Sequence, residues 1–314
     1  MSNIEWTTTT WNPTVGCSKL SQGCAHCYAV REAHRLGSNP NPKISSVYEG
    51  LTHKNGTINW TGKVRFIPER LEKPLHWRKP RRIFVDSMSD LFHEQVTDEQ
   101  RDQIFAVMAL TPQHTYQMLT KRADRMRAYL SDGHRFQGIH EAIKQRLGYN
   151  SDRPAFNACD LPLSNVWLGV SVENQEQADM RIPLLLKTPA AVRFLSCEPL
   201  LEEIELYNKY LEKEIFSEVP RPIGVEKRTT CCDWLIVGGE SGHGARPCKL
   251  AWIRGIIRQC ENANVPCFVK QLGGNVWDED ERLQLRDRKG GDPSEWPHDL
   301  RVREFPRGAV LCSN

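Results

Sequence analysis

The chain has 314 residues, 39% of them hydrophobic and 26% charged, with 42 basic against 39 acidic side chains and a net charge of +3. This composition suits a globular protein with a full core and excludes disorder, collagen and coiled coil. No run of about 18 apolar residues occurs, so no membrane span is expected, and the near balance of charge points neither to nucleic acid nor to a membrane surface.

The opening residues, with Asn3, Glu5 and Trp6, lack the basic and apolar regions of a signal peptide, and a cytoplasmic location is expected. Eleven cysteines in a long chain, with Cys231 and Cys232 adjacent, fit a reducing compartment better than a disulfide framework. In such a compartment a tight cysteine group reads as a metal site, and Cys17, Cys24 and Cys27 form one. The stretch Trp11-Asn12-Pro13-Thr14-Val15-Gly16-Cys17 leads into it, and Cys24-Ala25-His26-Cys27-Tyr28-Ala29 closes it. Pro13, Gly16 and Gly23 predict irregular backbone. A Cys-x-x-Cys pair can place two sulfurs on one centre, and a third thiolate can join them. His26, between two ligands, is badly placed as a fourth, and no second pair follows; Cys197, Cys248 and Cys267 are lone candidates. By spacing alone a structural zinc and a four-iron four-sulfur cluster with one open iron fit alike, and the α/β pattern downstream favours the cluster.

Next come Arg65, Arg70, Lys73, His76, Arg78, Lys79, Arg81 and Arg82, with Phe66 and Trp77 among them. Interleaved cations and aromatics can bind single-stranded nucleic acid. The near-neutral total charge favours a solvated face with an aromatic anchor.

From residue 82 onward, apolar runs alternate with helical patterns. The runs are Arg82 to Asp86, Tyr116 to Thr120, Val166 to Ser171, Val192 to Ser196, Trp234 to Gly238 and Pro266 to Lys270. Lacking clean alternation, they predict strands buried on both faces of a parallel sheet. Helices are predicted after a Thr97/Gln100 capping box, over Asn174 to Leu186 and over Leu250 to Ala263. The fold class expected is α/β, a partial or full (β/α) barrel or an open doubly wound sheet of mainly parallel strands. It should occupy residues 1–276, with polar insertions at 131–163 and 202–230, and residues 277–314 should form a C-terminal flap or tail.

Each apolar run ends in polar residues: Asp86 and Ser87, Thr120 and Lys121, Ser171 and Glu173, Ser196 and Glu198, Glu240 and Ser241, Lys270 and Gln271. In parallel α/β folds these carboxyl ends line the site. The glycine-rich run Val237 to Gly244 lacks both the Lys-Ser/Thr ending of a triphosphate loop and the spacing of a dinucleotide fingerprint.

Asn12-Pro13, Gly16-Cys17, Gly23-Cys24 and Cys27-Tyr28-Ala29 resemble the cluster loop of radical S-adenosylmethionine (SAM) enzymes, particularly the group similar to spore photoproduct lyase. The gap from Ser18 to Gly23 is longer than usual there, and His26 stands where an aromatic residue is common. The chain is also similar, over nearly its whole length, to a phage-associated three-cysteine-motif family of unknown function. Trp11 to Ala29, Asp86 to Phe92, Leu119 to Arg122, Gly169 to Asn174, Ser196 to Leu200, Gly238 to Gly242 and Ala245-Arg246-Pro247 carry that likeness.

The first resemblance implies a 4Fe-4S cluster on Cys17, Cys24 and Cys27, with SAM on the open iron. A one-electron cleavage, fed by a reductant protein such as flavodoxin or ferredoxin, then yields a 5'-deoxyadenosyl radical that abstracts hydrogen from the substrate. On this reading Asp86, Ser87, Ser89 and Asp90 accept from the SAM ammonium, and Ser171, Glu173 and Asn174 meet the ribose. Gly238 and Gly239 let the backbone approach the adenosyl group. Lys121 meets a carboxylate or an anionic substrate, and Glu198 and Glu240, with Lys270, supply groups for the reaction. The substrate stays open, and the phage association keeps nucleic acid among the candidates. Two rivals remain: a zinc-stabilised nucleic-acid-binding protein without turnover, and a hydrolase holding a divalent ion between Asp86 and Glu198 or Glu240.

Overall fold

The structure is a computed structural model and describes residues 4–147, 160–211 and 232–306. Seven strands form its main sheet: β1 (Thr9–Trp11), β2 (Arg82–Val85), β3 (Thr115–Thr120), β4 (Val166–Ser171), β5 (Val192–Cys197), β6 (Trp234–Gly238) and β7 (Cys267–Gln271). Each lies beside its predecessor in the chain and parallel to it. All carboxyl ends therefore share one rim. β1 and β7 stay unpaired with each other, so the sheet is a partial barrel.

The helices are α1 (Tyr28–Gly37), α2 (Pro42–Tyr48), α3 (Asp98–Ala109), α4 (Ala123–Leu130), α5 (Arg135–Leu147), α6 (Gln175–Leu186) and α7 (Leu250–Asn262). Val85, Met118, Leu168, Leu195, Val237 and Val269 face outward into one core with the helix residues Ile104, Ile182 and Ile256. Phe84, Trp167, Phe194, Trp234 and Phe268 face inward and form a second core with Trp6. Two buried faces explain why the strands read as continuous apolar runs. The Trp6 ring lies 4.7 Å from Phe84 of β2 and 6.2 Å from Trp234 of β6. One side chain touching strands so far apart in the sheet requires the sheet to curl around it.

The expected strands and helices are present with ends shifted by a residue or so. At α3 both arms of the capping box form, Thr97 accepting from the Gln100 backbone and Gln100 from that of Thr97. The edge strand Thr9–Trp11 was not expected, because a short threonine run carries no apolar pattern. The 131–163 stretch is more than a polar insertion: α5 lies in it and buries Ile139, Ala142 and Ile143. Its residues 148–159, and residues 212–231 spanning most of the second expected insertion and Cys231, lie outside the described residues.

The last described segment is also bound in. Trp296 and Leu300 enter the outer core, Phe305 lies 5.3 Å from the Trp234 ring, and Trp234 Nε1 donates to the Glu304 carbonyl at 2.8 Å. The expected flap thus helps to close the barrel floor; residues 307–314 lie outside the described residues. Among the described residues no helix is long and apolar enough to cross a membrane.

At Gly169 of β4 an added Cβ would run into the inward-facing Phe194 ring. Gly169→Ala should destabilise the fold by about 1–3 kcal/mol in chemical denaturation, as overpacking does. Phe194→Leu in the same chain should recover part of that loss; strictly additive effects would place the strain elsewhere.

Candidate functional site

The cysteine loop lies over the carboxyl rim, and most of the polar residues expected there hold it in place. Its lead-in strand Thr14–Val15 pairs with Arg65–Phe66. Asp86, buried at the end of β2, accepts from the Thr14 amide at 3.0 Å and from Thr14 Oγ1 at 2.7 Å. Ser87 Oγ donates to Asn12 Oδ1 at 3.1 Å, and the Ser87 carbonyl accepts from Tyr28 OH at 2.8 Å. Ser89 Oγ donates to the Gly16 carbonyl at 2.7 Å, where the Gly16 backbone has φ +93°. Asp90 accepts from Thr120 Oγ1 at 2.7 Å and from Arg122 Nη1 at 3.1 Å. The four groups expected to receive a cofactor ammonium are thus engaged in joining the loop and its lead-in to β2 and β3.

Further round the rim the pattern repeats. Arg122 donates to Ser18 Oγ at 2.7 Å and to Glu94 at 3.0 Å, and its Nη1 lies 4.0 Å from Cys17 Sγ. Glu173, fully buried, pairs with Lys121 at 3.1 Å and Arg181 at 2.8 Å and accepts from Ser21 Oγ. A side chain at Gly23 would begin 2.7 Å from the Glu173 carboxylate and 3.1 Å from Lys121 Nζ. Glycine there is what lets the loop sit down on the rim. Glu240, beyond β6, accepts from His26 Nδ1 at 2.9 Å and from Arg246 Nη2 at 2.7 Å, while Arg246 Nη1 donates to the Gln22 carbonyl at 3.0 Å. Loop residues Ser18, Ser21, Gln22 and His26 are therefore pinned from β3, β4 and β6.

Burial pushes the Cys17 thiol up to about 12, reinforced by Asp90 and by the neighbouring thiols Cys27 and Cys24 and opposed by Arg122. Burial likewise raises Cys27. Such thiols stay protonated until a cation replaces the protons. The donor set fits a thiolate-held centre: three soft sulfurs from one loop, close enough to feel one another's charge, with Arg122 beside one of them. Among the described residues no three His, Cys, Asp or Glu side chains already converge on a single point. Burial raises Glu173 and Glu240 too, but Lys121 with Arg181, and Arg246 with His26, outweigh it and hold both carboxyls below their ordinary range.

The remaining expected residues lie nearby. Asn174 caps α6 by accepting from the Gln177 amide at 3.0 Å, and the Ser171 carbonyl accepts from Arg181 at 2.8 Å. Gly238 makes room for Glu198, whose Oε1 would lie 2.7 Å from an added Cβ, and Gly239 makes room for the Leu272 backbone. Both glycines serve close packing of β6 against its neighbours. Glu198 faces inward, 3.4 Å from Lys270 Nζ; burial outweighs that lysine and raises its carboxyl. Lys270, Gln271, His26, Tyr28 and Ser87 line a cavity of about 1270 Å³ that opens between β1 and β7.

Sequence reasoning did not single out Arg122 or Arg181. Arg122 follows directly on a buried strand beside Lys121, which is a usable signal; Arg181 sits mid-helix, where an arginine ordinarily reads as solvated.

Fold and site together define a partial parallel α/β barrel with a three-cysteine loop docked on its mouth. The chain matches, over residues 1–297, the family described as "Protein of unknown function (DUF5131)", and it belongs to that family. No curated protein and no solved structure matches it.

Asp86 yields a pH test. Burial, against the two Thr14 hydrogen bonds, raises its carboxyl to about 7. The unfolded chain releases that proton near pH ~3.9. Between the two values the folded state binds more protons, so this group's contribution to stability falls as pH rises, by up to about 1.4 kcal/mol per pH unit. Asp86→Asn keeps both hydrogen bonds and tolerates the positive φ of 56°. Denaturation midpoints should show the variant gaining on wild type from pH 5 to pH 7; a constant difference would refute the assignment.

Proposed function

We propose that the protein is a radical SAM enzyme in which Cys17, Cys24 and Cys27 hold a 4Fe-4S cluster. The observation that carries this reading is the docking of three thiols over the open mouth of a parallel barrel, braced by charged pairs from β3, β4 and β6. When bound, the cluster supplies one electron to the sulfonium of SAM and so a radical that takes hydrogen from a substrate. A zinc staple would need no such concentration of buried charge around it.

The chain's own residues then have distinct duties. Arg122 offsets part of the negative charge that three thiolates bring. The Lys121–Glu173–Arg181 and His26–Glu240–Arg246 groups fix the loop against the rim. The inward aromatic core closes the floor and excludes water from below, as a site for reactive radicals requires. Glu198, its carboxyl raised by burial, stands at the inner wall next to Lys270. The electron comes from outside the chain, from a reductant protein such as flavodoxin or ferredoxin, in a reducing compartment such as the cytoplasm.

Protein purified without air should be brown, carry about four irons per chain and release 5'-deoxyadenosine on reduction with SAM present. Cys24→Ala should lose the colour and the product together. A colourless protein with one zinc per chain, or deoxyadenosine formed at the wild-type rate by Cys24→Ala, would sink the proposal.

A further inference from the structure

Of the basic stretch between residues 65 and 82, Lys73, His76, Arg78 and Lys79 are exposed and lie outside the cavity between β1 and β7, and four arginines are engaged within the fold. Arg65 donates to the Ser46, Val47 and Glu49 carbonyls, Arg70 donates to the Asn12 carbonyl, Arg81 stacks on Trp77 at 4.8 Å and Arg82 on Phe305 at 4.2 Å. A second group of cations without a carboxylate partner lines a cavity. Arg31 of α1 and Arg282, Arg288 and Lys289 of the C-terminal segment are exposed, line the cavity between β1 and β7, and form no ion pair among the described residues. Among the acids there, Glu5 has one carboxylate oxygen without a hydrogen-bond partner among the described residues, and two others are engaged. Glu32 is held by Arg35 at 2.5 Å, and Asp287 accepts from the Lys289 and Gly291 amides at 3.1 and 2.8 Å.

The same wall carries Tyr28, which is 53% exposed while its hydroxyl is anchored to the Ser87 carbonyl. An exposed, anchored ring beside guanidinium groups that lack a carboxylate partner among the described residues, Arg31 donating to the His243 carbonyl at 3.2 Å, is a stacking platform next to anion binders. The cavity, at about 1270 Å³, also exceeds the usual pocket for one small molecule.

We propose that this groove binds a single-stranded nucleic acid, with Arg31, Arg282, Arg288 and Lys289 on its phosphates and Tyr28 stacked on a base. As a substrate assignment this rests on the radical-enzyme reading; as binding it does not. Three of the four cations are arginines, whose planar forks match phosphate oxygens. An acidic peptide would satisfy the cations but leave the tyrosine face unused, and a duplex would keep its bases out of reach of the ring.

The test is fluorescence anisotropy of a short labelled single strand of mixed sequence, as DNA and as RNA, on full-length protein prepared without air. The double variant Arg288→Ala/Lys289→Ala should raise Kd by about tenfold and reduce the slope of log K against log salt by about 1.4, at about 0.7 per phosphate released. Tyr28→Leu should weaken binding by about tenfold at fixed salt and leave the slope unchanged. Arg286→Ala, exposed but paired with Glu295 at 2.6 Å and outside the groove, should bind as wild type.

Because the substituted cations are exposed, unchanged thermal melting is expected and serves as the folding control. Unaltered affinity in the double variant, stronger binding of a duplex, or displacement of the strand by polyglutamate as readily as by unlabelled strand overturns the proposal. Iron content and deoxyadenosine measured on the same preparation separate the two readings. Strand binding with neither refutes the enzyme alone, and both without strand binding refute the groove alone.

Discussion

The buried carboxylate of Glu173 is the interaction on which the mouth of this barrel depends. A fully buried charge is tolerated only with partners, and here they come from three directions: Lys121 after β3, Arg181 on α6 and Ser21 in the cysteine loop. Gly23 has to lack a side chain for that contact to close. Loop, rim and covering helix are therefore tied at one point. Glu240 repeats the device on the far side through His26 and Arg246. A loop of irregular backbone has little packing of its own, so its position over the mouth is decided by these charged groups.

That arrangement follows from the simplest ordering a parallel sheet can have. With every strand beside its predecessor, every βα turn emerges at the same rim, and residues remote in sequence, such as Asp86 and Glu240, come to act on one loop. The long connection between β1 and β2 begins at that rim, so residues 12–28 need travel no distance to cover it. The missing pairing between β1 and β7 leaves a side opening, and the chain's last described segment seals its floor with Phe305 while leaving the upper part as the groove.

Much of the fold was legible in the residues themselves. Strand runs buried on both faces announced a parallel sheet, and Thr97 with Gln100 marked the start of α3. The short strand Thr9–Trp11 was not legible, since hydrogen bonding to β2 rather than apolar pattern makes it a strand. The C-terminal segment read as a tail because its charges hide the few residues, Trp296, Leu300 and Phe305, that anchor it. At the mouth, the residue types were legible and their duties were not. A polar side chain after a buried strand points to the rim, yet nothing in a linear sequence says whether its partner is a ligand or another part of the chain. Asp86, Ser87, Ser89, Asp90 and Asn174 all found theirs within the protein.

Bond lengths divide the rim carboxylates into two kinds. Asp90, Glu173 and Glu240 sit 2.7–3.1 Å from the basic side chains that pair with them, the range of well-made charge-assisted bonds. Glu198 sits 3.4 Å from Ser196 Oγ and 3.4–3.5 Å from Lys270 Nζ, and its Oε1 has no hydrogen-bond partner among the described residues. The first kind is committed to holding the loop, and a change of partner there would release it. Glu198 faces the interior and keeps hydrogen-bonding capacity in hand. A group meant to meet a substrate has to retain such capacity in the resting protein, because a carboxylate already saturated by the fold would gain nothing from a new donor.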